Sequence, residues 1–216
     1  MSFKIVMLSG FLALGSATLP MAAHAERFDI DFEAARAAGS GCRLGENAFL
    51  EESGPNAVLL ELNNFGVSLS GLVVPAVGSP SSASTARSTC VLALPGLLPR
   101  GFTVRSVRTQ GAYDVRKSST ADVRLAARVV GAGLDASAAQ LAFPSGRAAF
   151  NQGASFSLTN VVEDDGGLCN TSRSENVTLS VVYAASAVKG SAHSYADLEL
   201  SPGRGLRVSF DVRPCR

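Results

Sequence analysis

The chain has no tryptophan, three tyrosines and two histidines among its 216 residues. Each shortage removes a kind of chemistry. Exposed tryptophan and tyrosine rings are a common platform for sugars and bases, and there is little here to build one from. His24 falls in an N-terminal leader, which leaves His193 alone and excludes any multi-histidine metal site. One histidine would suffice for a Ser-His-Asp triad. The chain has no GxSxG elbow, however, and Ser191 and Ser194 beside His193 lie in a Ser/Ala/Gly stretch with the character of a turn. His193 is therefore expected to be an exposed loop residue, and no catalytic residue is assigned. Short cysteine spacings are missing too, so neither a CxxC redox pair nor a zinc knuckle is supported.

What is present begins with the leader. Lys4 gives a short positive region, Ile5–Leu19 is an apolar run, and Ala23-His24-Ala25 places small residues where a signal peptidase reads them. Gly10, Gly15 and Pro20 interrupt the run, which is short for a membrane span. Residues 1–25 are thus expected to be a cleavable signal helix, and residues 26–216 the exported protein. No later segment is apolar enough for long enough to span a bilayer, so no transmembrane anchor is expected. Losing Lys4 leaves basic and acidic residues equal in number. A neutral balance gives no reason to expect nucleic acid as a partner. The preference for arginine over lysine, with abundant alanine, suggests a GC-rich, bacterial genome.

The four cysteines, Cys42, Cys90, Cys169 and Cys215, all lie beyond the leader. Exported chains are oxidised, so these are read as two structural disulfides. Three pairings are possible, and the sequential one, Cys42–Cys90 with Cys169–Cys215, is preferred. Each bond would close a loop worth about 4 kcal/mol in the chain-entropy account.

The pattern between the cysteines is that of strands. Arg27–Ala34 alternates, with Phe28, Ile30, Phe32 and Ala34 on one side. Asp122–Val130 alternates through nine residues, with Val123, Leu125, Ala127 and Val129 together. Further strands are expected at Val58–Asn63, Cys90–Leu94, Phe102–Thr109, Ala148–Leu158, Val177–Ala187, Tyr195–Leu200 and Leu206–Val212. A turn is expected across Pro95–Gly101, a flexible loop at Gly78–Ser84, and one short helix at Ala132–Ala142. Strands separated by Gly, Ser and Pro turns indicate an all-β chain, one antiparallel β-sandwich of jelly-roll or Ig-like type stapled by two disulfides.

Few residues carry chemistry. Glu163-Asp164-Asp165-Gly166-Gly167 offers clustered carboxylates that calcium accepts, but not at EF-hand spacing, and a solvated turn is the expectation. Glu51 and Glu52 are neighbours that a strand points to opposite sides. Arg100, Arg105, Arg108, Arg116 and Lys117 make the middle of the chain basic, and a solvated sheet face is expected there. Asn170-Thr171-Ser172 and Asn176-Val177-Thr178 match the N-glycosylation pattern. No metal, cofactor or catalytic set is assigned.

Gly41-Cys42, then Arg87-Ser88-Thr89-Cys90-Val91-Leu92-Ala93-Leu94, then Pro99-Arg100-Gly101-Phe102, resemble a family of secreted bacterial and fungal proteins known only as a domain of unknown function. Gly111-Ala112-Tyr113 and Cys169 fit its later positions. The resemblance spans most of Gly41–Cys215 and implies a secreted β-sandwich, with no catalytic residues to carry over. A second resemblance is to the pilus subunits of chaperone–usher systems. It implies that Phe28, Ile30 and Phe32 form a donor strand completing a neighbour's sheet, although the ending Arg213-Pro214-Cys215-Arg216 departs from the aromatic-bearing last strand of those subunits. The functional expectation is a non-enzymatic, exported binding or scaffold protein with a protein or glycan partner at the cell envelope or outside the cell. The alternatives are a fibre subunit joined by strand exchange and a secreted hydrolase with an atypical carboxylate site.

Overall fold

The structure is a computed structural model that describes residues 27–69, 85–131, 134–135, 138–146, 150–161, 169, 173–190, 194–200 and 205–215. The signal segment, the loop at residues 78–84, Glu163–Gly167, Asn170 and His193 lie outside the described residues. In chain order the strands are β1 (Asp29–Ile30), β2 (Arg36–Ala38), β3 (Ala48–Glu52), β4 (Ala57–Leu62), β5 (Gly66–Leu69), β6 (Thr85–Leu98) and β7 (Phe102–Lys117). There follow β8 (Ala121–Gly131), β9 (Leu134–Asp135), β10 (Ala139–Phe143), β11 (Phe150–Val161), β12 (Glu175–Lys189), β13 (Ala196–Leu200) and β14 (Leu206–Pro214). The described residues contain no helix, and so none long and apolar enough to cross a membrane.

Two antiparallel sheets stack as a sandwich. Sheet A runs β1-β6-β12-β8-β10, with β2 beside β6 and β9 beside β8. Sheet B runs β3-β4-β14-β7-β13-β5, with β11 on the other side of β7. Stacking makes every second residue of a strand face the opposite sheet, because successive side chains alternate. Cys90, Leu92 and Leu94 of β6, Leu179, Val181 and Tyr183 of β12, and Val123, Leu125 and Ala127 of β8 point inward from sheet A and are buried. Val58 and Leu60, Val107 and Val115, Leu198, Val208 and Phe210 meet them from sheet B in the same apolar cluster.

Polar contacts fix the stacking. The Tyr183 hydroxyl of sheet A lies 3.1 Å from Thr109 Oγ1 of sheet B, and both residues are buried. Asn160 of β11, fully buried, donates from Nδ2 to the carbonyl of Ala127 in β8 at 2.8 Å. At one end Phe28 packs edge-on against Phe210, with ring centroids 5.6 Å apart. Its N–H donates to Asn56 Oδ1 at 2.7 Å. Asn56 takes a positive φ of 55°, which asparagine tolerates, and its carbonyl accepts the Phe210 N–H.

The disulfides are the expected pair. Cys42 bonds Cys90 with S–S 2.03 Å, and Cys169 bonds Cys215 with S–S 2.04 Å. The first ties the segment after β2 to β6, and the second holds the end of β14. The glycine before Cys42 has a steric reason: a Cβ on Gly41 would collide with Ser88 Oγ and the Phe65 ring.

Several elements depart from expectation. Residues 132–142 are not helical where described: Leu134–Asp135 and Ala139–Phe143 are strands paired with β8. The ladder from Ala139 opposite Ala127 to Phe143 opposite Val123 outweighs alanine's helical preference. Arg27–Ala34 is not a single strand. Asp31 Oδ1 accepts the N–H groups of Glu33 and Ala34, which turns the chain after β1. Pro95 does not break β6. In an antiparallel ladder a residue's N and carbonyl point the same way. The Pro95 carbonyl accepts Asp31 N–H, so the missing donor faces the side where the chain turns off, away from β12. The turn falls instead at Pro99–Gly101, where Phe102 N–H donates to the Pro99 carbonyl and Gly101 has φ 77°.

Replacing Tyr183 with phenylalanine leaves the Thr109 hydroxyl buried without its partner. Urea unfolding is expected to show a loss of about 1–3 kcal/mol, partly recovered when Thr109→Val is added. Burial pushes the Tyr183 phenol well above its ordinary 10.0, and the Thr109 hydrogen bond offsets this in part. The unfolded phenol ionises near the ordinary value while the folded one stays neutral. Stability is therefore whole below about pH 10 and falls as pH rises above it. Tyr183→Phe should flatten that alkaline decline in unfolding measured from pH 8 to 11.

Candidate functional site

The residues singled out by chemistry do not converge. Glu51 and Glu52 are exposed on the edge strand β3, and Glu52 bridges Arg27. Arg100, Arg108 and Arg116 are exposed, whereas Arg105 is half-buried beside the bulge that shifts register between Asp211 and Val212. Lys117 corrects the expectation of a solvated basic face. It is fully buried at the end of β7, opposite Ala196, and its Nζ donates to the Ser118 carbonyl at 3.0 Å. An alternating strand places it on the inward side with Tyr113 and Val115. Asn176 of the described sequon is exposed on sheet A. Among the described residues, no group of three or more His, Cys, Asp or Glu side chains is placed to hold a metal ion.

The surface that stands out is one that chemistry-bearing motifs did not mark. Inward-facing residues of β6, β12 and β8 leave their alternate neighbours on the outer face of sheet A. Register aligns these neighbours in rows: Val91 lies opposite Val182, which lies opposite Arg128; Ala93 lies opposite Ser180, which lies opposite Val130. Thr89, Ala184 and Ala126 form the row on one side, and Pro95 with Thr178 the row on the other. Val91 is 37% exposed, Val130 39%, and Leu97, farther along β6, 42%. A single exposed valine needs no explanation. Here Val91 and Ala93 are neighbours along β6 and Val91 faces Val182 across the ladder, while Val130 lies only diagonal to Val182, between Ser180 and Arg128. The small Ala93, Ala126 and Ala184 keep the strip low and flat.

A hollow lies at each end of this strip. One, of about 390 Å³, is lined by Thr85, Arg87, Asp122, Arg124, Ser186, Ala187 and Val188. Ser186 sits between Arg87 and Arg124 in direct register, so the two exposed arginines flank its hydroxyl across three strands. Asp122 tempers their charge, and its Oδ1 also accepts the Ser145 N–H at 3.0 Å. The other hollow, of about 560 Å³, is lined by Asp29, Ile30, Asp31, Pro95, Gly96, Leu97, Asn176, Val177 and Thr178. Gly96 beneath it is on the inward phase of β6, where a Cβ would meet the Asp29 carbonyl and the Phe28 ring. One end of the face is thus basic and the other acidic; the middle is apolar along β6 and β12, with the exposed arginines Arg36, opposite Ala93, and Arg128, opposite Val182, at its two sides. Such an arrangement of apolar centre and charged rim is the anatomy of a docking surface.

No family model and no characterised protein matches this chain. Among solved structures, the carbohydrate-binding module TmCBM61 in complex with beta-1,4-galactotriose aligns with 84% of this chain and 91% of its own, at 10% identity and a TM-score of 0.29. A likeness at that level carries neither a ligand nor a function to this chain.

Proposed function

We propose that the protein is an exported, non-enzymatic binding or scaffold protein of the cell envelope or the extracellular space, and that it binds through the outer face of sheet A. The carrying observation is the apolar strip of Val91, Ala93 and Val182, with Val130 diagonal to it, between a basic and an acidic hollow. The two disulfides support an oxidising compartment, where such bonds form and persist. The resemblance to the secreted family of unknown function belongs to the same proposal. Its Arg87–Leu94 segment supplies Arg87 and Val91 to the face and Cys90 to the staple.

Assembly by strand exchange is supported less well. Phe28 fills this chain's own core against Phe210, and Ile30 and Phe32 pack on the same cluster. A donor strand would give those side chains to a neighbour.

A photoreactive residue placed at Val91 or Val182 in the producing cell is expected to capture a macromolecule. The same residue at Gln110, on the outer face of sheet B, is not. Equal capture from both faces, or none from Val91 and Val182, would remove the proposal. The strip is also expected to be dispensable for folding: Val91→Thr should leave the unfolding free energy within about 0.5 kcal/mol of wild type, because the position is exposed and threonine suits a strand.

A further inference from the structure

Resting on the reading of sheet A as the docking surface, we infer that its occupant is a second copy of this chain, related by a two-fold axis. The inference comes from where the charges lie along β6. Arg87 and Leu97 stand five residues to either side of Leu92, and Leu97 is the cross-strand partner of Asp29. At about 3.3 Å per residue, the basic and acidic ends are roughly 33 Å apart.

Lay a second sheet A face-down on the first, with a two-fold axis in the plane between them and crossing β6 near Leu92. The axis reverses the strand direction. Arg87 of each copy then comes to lie above the Leu97–Asp29 pair of the other. The row Val91–Val182–Arg128 of each copy lies over the row Ala93–Ser180–Val130 of the other, so Val91 meets Ala93 at the centre and Arg128 falls toward the side of the contact. A two-fold interface demands this property, since one patch must complement itself and every contact occurs twice. A face that was basic or acidic throughout would repel its own copy.

Three further observations fit. Among the described residues, Arg87, Arg124 and Asp29 make no ion pair within the chain, so their charges are available. The 14-residue β6 and its neighbours provide a large area. A face roughly 45 Å by 19 Å gives about 850 Å² per copy, close to the ~800 Å² per partner of stable complexes. Small side chains along the middle allow two twisted sheets to approach closely, as stacked sheets do at about 10 Å. Large aromatic anchors of the kind that grip an unrelated partner are missing from the strip. Matched shape and paired charge take their place.

The test is analytical ultracentrifugation of the full mature chain across a concentration series. A reversible dimer is expected. Arg87→Glu alone and Asp29→Arg alone should each weaken it at least about tenfold, since both place like charges face to face. The double variant Arg87→Glu/Asp29→Arg should restore it, which a folding defect could not do. Val91→Lys/Val182→Lys should leave a folded monomer. A dimer that survives this last change, or a double variant no better than the single ones, overturns the inference. So does a wild-type chain that stays monomeric at hundreds of micromolar. In that event, cross-linking from Val182 to a species of different mass would show that the docking reading stands and only the occupant was wrong. No cross-link at all would remove both.

Discussion

Everything in this molecule follows from two sheets sharing one apolar layer. Once β6, β12 and β8 must bury Leu92, Val181 and Leu125 against Val107, Leu198 and Val208, the pleat leaves no choice about the residues between them. A slip of one residue would expose the core and bury Arg87, Arg124 and Arg128. The outer face is therefore not an independent feature. Its composition is dictated position by position by the register that fills the core.

That register is held from inside as well as along the ladders. The Tyr183–Thr109 and Asn160–Ala127 hydrogen bonds join the sheets at places where an apolar pair would allow sliding. Buried polar groups are costly unless matched, so each bond favours one stacking over its neighbours. The disulfides act at the margins. Cys42–Cys90 fixes the approach to β6, and Cys169–Cys215 fixes the last strand.

The core side of this architecture was legible in the sequence. Val123, Leu125, Ala127 and Val129 alternate cleanly with polar residues, and they are buried as that pattern requires. The compartment made disulfides legible, and the preferred sequential pairing is the one found. The outward apolar strip was not, for a physical reason. In Val91-Leu92-Ala93-Leu94 both phases of the alternation are apolar, so the local pattern cannot say which side is outward. Only pairing does so, by setting Val91 opposite Val182 from a segment about ninety residues away. The 132–142 segment failed similarly, because alanine's helical preference is local and its ladder with β8 is not. Lys117 was misplaced because charge type suggests solvent, whereas strand phase points it inward. Pro95 looked like a turn until the direction of its carbonyl was known.

The central claim is that register turns an apolar strip of sheet A outward while its neighbours face the core. Thiol labelling of single cysteines introduced at Val91, Leu92, Val129, Val130, Val181 and Val182 tests it most directly, with the disulfides left oxidised. The account predicts fast alkylation at Val91, Val130 and Val182 in dilute folded protein, and protection at Leu92, Val129 and Val181 until the chain unfolds. Equal labelling of both sets, or the reverse order, would contradict it.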